Sequence, residues 1–160
     1  MTITLYVRDG GRRYRLAEER EVLELAAELL AARVIGELLS SSRDCAAFLR
    51  ARLGRREHEV FGCLFLDNRH RLLVFEELFR GTLNGTAVYP REIVKRALEH
   101  NAAAVILVHN HPSGVAEPSR ADELLTARVR EALQLVDVRL LDHLVVGDGE
   151  VVSFSERGLL

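Results

Sequence analysis

Apolar and polar positions alternate along the chain in blocks that predict helices and strands in turn. The segment 17–39 carries apolar side chains in a wide stripe behind an acidic start, which predicts a long helix. A second helix is expected from a cap at Asp44 to about Leu53. Residues 59–66 (EVFGCLFL) are largely apolar and predict a strand, with 71–79 as its antiparallel partner.

The later part of the chain continues this alternation. Residues 90–100 predict a helix with a proline in its first turn, and 103–109 (AAVILVH) have the profile of a buried central strand. Residues 119–136 predict an amphipathic helix, and 138–146 is expected to pair with 150–154 in a final hairpin. The expected inner face of this amphipathic helix comprises Ala121, Leu124, Leu125, Val129, Ala132, Leu133 and Val136.

Strands and helices mixed in this order predict a three-layer α/β fold. Residues 2–14 are expected to form a short edge hairpin that turns at Asp9, Gly10 and Gly11. We therefore divide the chain into an N-terminal hairpin and helical extension, residues 1–43, and a main domain, residues 44–160.

Composition narrows the classes of protein to consider. The 160 residues are 48% apolar and 29% charged, which excludes a disordered or collagen-like chain and suits one ordinary domain. The longest apolar run, 102–108, is far too short to span a membrane. The N-terminus lacks a basic segment followed by an apolar stretch, so we expect no secretory signal and a cytoplasmic location.

The positive charges come almost entirely from arginine. Lysine and arginine together number 22 and Lys95 is the single lysine, which leaves 21 arginines. Arginine binds phosphate well, but the 24 acidic residues give a net charge of −2 and no basic stripe appears. We therefore expect no direct binding to DNA.

Two cysteines, Cys45 and Cys63, stand alone in apolar surroundings. They are far apart in the sequence and do not form a C-x-x-C metal pair. We expect both to be reduced residues of the core.

The candidate chemistry lies where the central strand ends. Alternate residues of a strand face the same side, so His109 and His111 are expected on one face. Pro112 keeps the residue before it extended, which holds the two imidazoles in line. Ser119 then begins a new helix, and Asp122 in its first turn can point back toward the strand end.

Two imidazoles and one carboxylate are a ligand set of catalytic zinc sites, in which water takes the fourth position. Each feature also has a simpler explanation, because histidines two residues apart are common on surfaces and S-x-x-D is a helix-capping pattern. Together, with a proline and a turn between them, they favour a metal site. Hydrolysis by such a site needs a nearby base, and the candidates are Glu59, Glu76, Glu77 and Glu117.

H-x-H-P followed by S-x-x-D, with an upstream glutamate, resembles the motif of JAMM (MPN+) zinc metallopeptidases. The stretches HNHPSG, EPSRAD, FRGTLNG, VYPREIVKRAL and LLDHLVVG resemble the RadC family of bacterial JAMM-domain proteins. The resemblance implies the mixed-sheet JAMM/MPN fold, which is cytidine-deaminase-like, with an N-terminal helical extension. It covers roughly residues 44–160.

The resemblance also implies roles for individual residues. His109, His111 and Asp122 correspond to the zinc ligands, and Ser119 corresponds to the residue that stabilises the tetrahedral oxyanion. The family glutamate precedes a strand of the type E-V-x-G-x-L, which fits Glu59.

Other residues of the matching stretches have weaker assignments. Glu57 and Glu76 are close rivals of Glu59 for the role of base. His143 also matches a family motif, but a strand histidine oriented by a neighbour explains it, so we place it outside the ligand set. Arg91 is explained equally well as a solvated residue in the first turn of a helix.

The implied function is zinc-dependent hydrolysis of an amide bond in a protein or peptide, by a peptidase or isopeptidase. The alternative is a non-enzymatic, zinc-stabilised module for DNA repair or protein interaction. Full-length RadC proteins resemble a two-part protein with a helix-hairpin-helix DNA-binding region, and nothing in residues 1–43 resembles that region. We therefore expect a short, single-domain member of the family. Its long N-terminal helix can dock on its own domain or on another subunit, and the second contact would form a homo-oligomer.

Overall fold

A five-stranded mixed sheet forms the centre of the molecule, and helices cover both of its faces. The computed structural model describes residues 4–8, 13–34, 42–54, 56–82 and 86–160. In chain order the elements are β1 (Tyr6–Arg8), β2 (Tyr14–Leu16), α1 (Glu19–Val34), α2 (Ser42–Leu53), β3 (Val60–Leu66), β4 (Leu72–Arg80), α3 (Pro90–Glu99), β5 (Ala104–Asn110), α4 (Arg120–Gln134), β6 (Arg139–Val146) and β7 (Val151–Ser153).

The sheet has the strand order β4-β3-β5-β6-β7. β3 is antiparallel to both β4 and β5, β5 is parallel to β6, and β6 is antiparallel to β7. This arrangement places β5 in the middle, where its apolar run is covered on both faces. It also brings the start of β3 beside the end of β5, because Phe61 pairs with His109.

The alternating side chains of β5 divide between two cores. Ala104 and Val108 face a cluster that includes Phe48 and Leu49 of α2, and α1 packs against α2 from outside. Val105, Leu107 and His109 lie on the opposite face of the sheet, which α3 and α4 cover. The molecule therefore has three layers, and the predicted α/β fold with a mixed sheet and an N-terminal helical extension is confirmed.

The start of α2 differs from the predicted one, and two other predicted boundaries lie outside the described residues. α2 begins at Ser42, so Asp44 lies within the helix and not at its N-cap. Residues 42–44 (Ser-Arg-Asp) hold two residue types that favour caps, and the sequence does not choose between them. β1 and β2 do pair as an antiparallel hairpin, but its predicted turn at 9–11 and the predicted end of α1 at 35–39 lie outside the described residues.

The inner face of α4 is partly different from the predicted one. Val129 and Leu133 are buried as expected, whereas Leu124 is 55% exposed and Thr126 is buried. The first turns of α4 therefore direct a polar side chain inward, which the apolar pattern does not reveal.

Both cysteines are buried free thiols, as predicted. Burial raises the pKa of the Cys45 thiol to about 11 and raises the pKa of the Cys63 thiol further.

Across the described part of the chain, every helix is too short or too polar to cross a membrane.

Gly62 gives a test of the packing between β3 and β4. A Cβ at this position would lie 2.7 Å from the carbonyl oxygen of Glu76 and 2.9 Å from the Phe75 ring. Because backbone cannot move aside cheaply, we expect Gly62→Ala to reduce the free energy of unfolding by about 1–3 kcal/mol in urea denaturation. The control is Gly149→Ala, whose Cβ would meet nothing within 4 Å, with an expected change within about 0.5 kcal/mol. Equal stability of the two variants would contradict this account.

Candidate metal centre

The two histidines of the H-x-H-P stretch meet where β5 ends. Their Nε2 atoms lie 2.9 Å apart, with His109 completely buried and His111 half-buried. The backbone N–H of His111 donates to the carbonyl of Val146 at 3.1 Å, so the pairing with β6 continues past the last residue of β5. The expectation that both imidazoles share one side is therefore met.

Asp122 reaches this point from the first turn of α4. A capping box holds it: Ser119 Oγ accepts from the N–H of Asp122 at 3.2 Å, and the N–H of Ser119 donates to Asp122 Oδ2 at 2.7 Å. Asp122 Oδ1 lies 3.5 Å from His109 Nε2, and Oδ2 lies 3.7 Å from His111 Nε2. The cap thus aims the carboxylate at both imidazoles.

The three side chains have the spacing of a metal-ligand set. One ligand atom from each lies within 4.8 Å of the others, and the nearest pairs are 2.9–3.7 Å apart. Ligands bound to zinc at about 2.0–2.2 Å in a tetrahedron lie about 3.3–3.6 Å from each other. His109, His111 and Asp122 can therefore hold a metal ion with small adjustments.

Hydrogen bonding shows which nitrogen of His111 is available. Its Nδ1 lies 2.8 Å from the carbonyl oxygen of Val115, which can only accept, so Nδ1 carries a proton. A neutral His111 then presents the lone pair of Nε2 to the space shared with His109 and Asp122. This is the donor arrangement that a cation requires.

The charge states of His109 and Asp122 suit a metal, whereas His111 holds a proton that a metal would have to displace. Burial lowers the pKa of His109 to about 4, so this ring is neutral at pH 7. The nearby carboxylate of Asp122 raises the pKa of His111. Burial alone would raise the pKa of Asp122, but its interactions with His111 and His109 and its hydrogen bonds from Ser119 outweigh burial and lower the pKa of the carboxyl.

Glu59 stands just before β3, beside this cluster. Burial is the main cause that raises the pKa of the Glu59 carboxyl, and the negative charge of Asp122 raises it further. A hydrogen bond from Thr86 and the charge of His111 lower this pKa but do not cancel the rise. Its position follows from the antiparallel pairing of β3 with β5, which brings the start of one strand to the end of the other.

Asn110 fixes the backbone on both sides of Glu59. Its Oδ1 accepts from the N–H of Val60 at 2.8 Å, and its Nδ2 donates to the carbonyl of His58 at 3.2 Å. Sequence reasoning missed this residue, although a buried amide between two candidate ligands is a signal in the same stretch. Asn110 ties the segment with Glu59 to the strand with the two histidines.

The other candidate bases have different partners. Glu76 on β4 pairs with Arg96 of α3 and with His100, whose Nε2 lies 2.9 Å away. Glu77 lies 3.0 Å from Arg52.

Two further candidates lie at the surface. Glu117 is exposed and pairs with Arg157 at 2.7 Å. Glu57 is exposed and lines a cleft beside α1 and α2. Of the five glutamates considered, Glu59 is the one whose charge acts on both His111 and Asp122.

Ser119 lies beside Asp122, but its hydroxyl proton is engaged. The hydroxyl donates to Asp122 Oδ2 at 2.6 Å while it accepts from the backbone of the same residue. A hydroxyl has one proton, so donation to an oxyanion requires this bond to be exchanged.

The two remaining residues of the matching stretches differ sharply in burial. His143 is completely buried on β6, and its Nε2 lies 2.9 Å from Nδ1 of His109, behind the candidate ligands. Arg91 has an 86% exposed side chain 3.5 Å from Glu92.

Comparisons with known proteins agree on one family. Residues 39–159 match the family described as RadC-like JAB domain. A UPF0758 protein of Halorhodospira halophila is 59% identical over 158 residues, which covers 98% of this chain and 70% of that protein. A UPF0758 protein of Thioalkalivibrio sulfidiphilus is 59% identical over 152 residues, 94% of this chain and 67% of that protein.

A third relative, a UPF0758 protein of Nitrosococcus oceani, is 66% identical over 125 residues, 78% of this chain. The chain spans 56% of the length of that relative. These names state no reaction or ligand. The matched range includes the two histidines, the capping box and the strands that position them. The chain belongs to the RadC-like JAB domain family.

Proposed function

We propose that this protein is a zinc-dependent hydrolase that cleaves an amide bond in a protein or peptide. The observation that carries the proposal is the ligand-like cluster of His109, His111 and Asp122 with a half-buried glutamate beside it. A structural zinc site has four protein ligands, often thiolates, whereas this cluster supplies three and both cysteines lie in the core. Three ligands leave a position for water, as a hydrolase needs.

The proposed catalytic base is Glu59. When bound, zinc would acidify a water molecule and polarise the carbonyl of the scissile bond. The raised pKa of Glu59 brings its affinity for a proton closer to neutral pH, where a general base is most effective. Glu59 accepts the proton of the attacking water and returns it to the leaving amine.

Ser119 is proposed to stabilise the oxyanion. The backbone N–H of Ser119 holds Asp122 Oδ2 without help from the hydroxyl, so the hydroxyl can turn away while the carboxylate stays in place. In that orientation the hydroxyl donates to the developing negative charge.

A second candidate function is a non-catalytic, metal-stabilised interaction module. The complete capping box favours it, because Ser119 and Asp122 already satisfy each other in a structural role. The proposal of a hydrolase includes three further expectations. They are a cytoplasmic location, a homo-oligomer and no direct binding to DNA. A binding site for DNA phosphates would show steep weakening with salt.

Zinc binding tests the ligand assignment. After chelation and dialysis, the wild-type protein is expected to bind about one zinc ion per chain, measured by elemental analysis and chelator competition. His111→Ala is expected to weaken binding by more than about 100-fold, because loss of a ligand exceeds the loss from residues that only support one. Glu117→Gln, which changes a carboxylate paired with Arg157, is the control and is expected to match wild type. Wild-type protein without stoichiometric zinc would refute the assignment.

The role of Glu59 is tested by Glu59→Gln. We expect hydrolysis to slow by about 10²- to 10⁴-fold while zinc affinity stays near that of wild type, because the base is lost and the ligands remain. New peptide termini, detected by mass spectrometry after incubation with a denatured bacterial proteome, measure the activity.

Glu57→Gln is the matched control, because this exposed carboxylate lies two residues away in the same segment. It is expected to retain wild-type activity. Equal rates for Glu59→Gln and wild type would exclude Glu59 as the base. A zinc-loaded wild-type protein that produces no new termini would favour the interaction module.

A further inference from the structure

A chain of hydrogen bonds runs from His109 through the interior and back to the helix that carries Asp122. His109 Nδ1 lies 2.9 Å from His143 Nε2, and His143 Nδ1 lies 2.6 Å from Thr126 Oγ1. The Thr126 hydroxyl also lies 2.6 Å from the backbone carbonyl of Asp122 and donates to it. His109, His143 and Thr126 are all buried.

We propose that Thr126 and His143 are positioning residues that set the ring tautomer of His109 and so keep its Nε2 free of a proton. The inference deepens the proposed function and rests on it, because it takes His109 to be a metal ligand. It concerns two residues to which no role has yet been given.

The carbonyl oxygen of Asp122 gives the chain its direction. A carbonyl can only accept, so the Thr126 hydroxyl donates its one proton there and must accept from His143. The His143 proton then sits on Nδ1, and its Nε2 accepts from His109. A histidine that binds a metal is neutral, so the single proton of His109 then sits on Nδ1, where it is donated to His143.

The opposite direction would disable the ligand. If Thr126 donated to His143, then His143 Nε2 would donate to His109 Nδ1, and the neutral His109 ring would carry its proton on Nε2. That nitrogen faces His111 and Asp122, so its proton would occupy the position of the metal. The bond from Thr126 to the carbonyl of Asp122 is what opposes this state.

Aromatic neighbours restrict rotation of the His109 and His143 rings and so keep their hydrogen bonds in place. Phe154 stacks on His143 at 4.6 Å between ring centroids, and Phe61 meets the same ring edge-on at 5.5 Å. Phe61 is also stacked with His109 at 6.0 Å. Thr126 lies four residues after Asp122 on one face of α4, so a single helix supplies a ligand and the end of the relay.

Tautomers can be measured directly in the metal-free protein. Ring ¹⁵N chemical shifts and long-range ¹H–¹⁵N spectra of wild type are expected to show His109 protonated at Nδ1 and bare at Nε2. Thr126→Val keeps the shape of the side chain and removes the hydroxyl, and it is expected to give His109 a mixed or reversed tautomer. Thr126→Ser keeps the hydroxyl and is expected to match wild type.

Zinc affinity, measured by competition with a chromogenic chelator, gives the second readout. Thr126→Val is expected to weaken binding by about 10- to 100-fold, and Thr126→Ser should stay near wild type. His143→Phe keeps an aromatic ring against Phe154 and removes both nitrogens, and it should weaken binding at least as much as Thr126→Val. Thermal unfolding of the metal-free variants establishes that each one is folded before its affinity is compared.

The outcomes separate the relay from the proposed function. If folded Thr126→Val keeps both the wild-type tautomer and the wild-type zinc affinity, the relay is wrong although zinc binding stands. If wild-type His109 carries its proton on Nε2, the direction of the relay is wrong. If wild type binds no zinc, the ligand assignment fails, and the tautomer of metal-free His109 still decides whether the relay exists.

Discussion

The burial of His109 is the constraint on which the site depends. An imidazole removed from water requires partners for both nitrogens, since an unpaired buried polar group costs about 1–3 kcal/mol. His143 serves Nδ1, while Nε2 faces His111 and Asp122. His109 lies on β5 and its partners come from β6, from α4 and from the residue after β5, so the same side chain that can bind a metal also specifies how three elements meet. The His109 ring therefore contributes both to the stability of the fold and to the candidate metal site.

Much of the fold and of the cluster could be predicted from local sequence. The apolar run of β5 and the proline after His111 place the two imidazoles on one side, and Ser119 and Asp122 form a short-range cap. His109 and Asp122 lie within 14 residues of each other, so strand alternation and helix capping are enough to predict that they are close. Glu59, 50 residues before His109, was one of several candidate bases until the resemblance favoured it, because its position depends on the pairing of β3 with β5.

The residues that support the cluster, Thr126 and Asn110, could not be predicted, for a different physical reason. Hydropathy assigns the inner face of a helix from its apolar residues, and it placed Leu124 inside while it ignored Thr126. The buried face of α4 follows Asp122, Thr126, Val129 and Leu133, with spacings of four, three and four that are regular for a helix. Its first half is polar because it faces two histidines, and a single sequence does not show what a helix face will meet. Asn110 was missed likewise, because its two partners lie beyond a long stretch of chain.

The hydrogen bonds that support the cluster make it a preorganised site. Asp122 is held by its own helix cap, His111 by the Val115 carbonyl, and His109 by His143, so no ligand has to be ordered when a metal arrives. What must change is charge: the carboxylate of Asp122 favours a proton on His111, and this proton has to leave, since a metal ligand uses the lone pair that the proton occupies. Proton and metal therefore compete for one position between these groups. Glu59 precedes β3 at the end of the sheet where β5 finishes, so the proposed base adds its charge beside the three proposed ligands without replacing any of them.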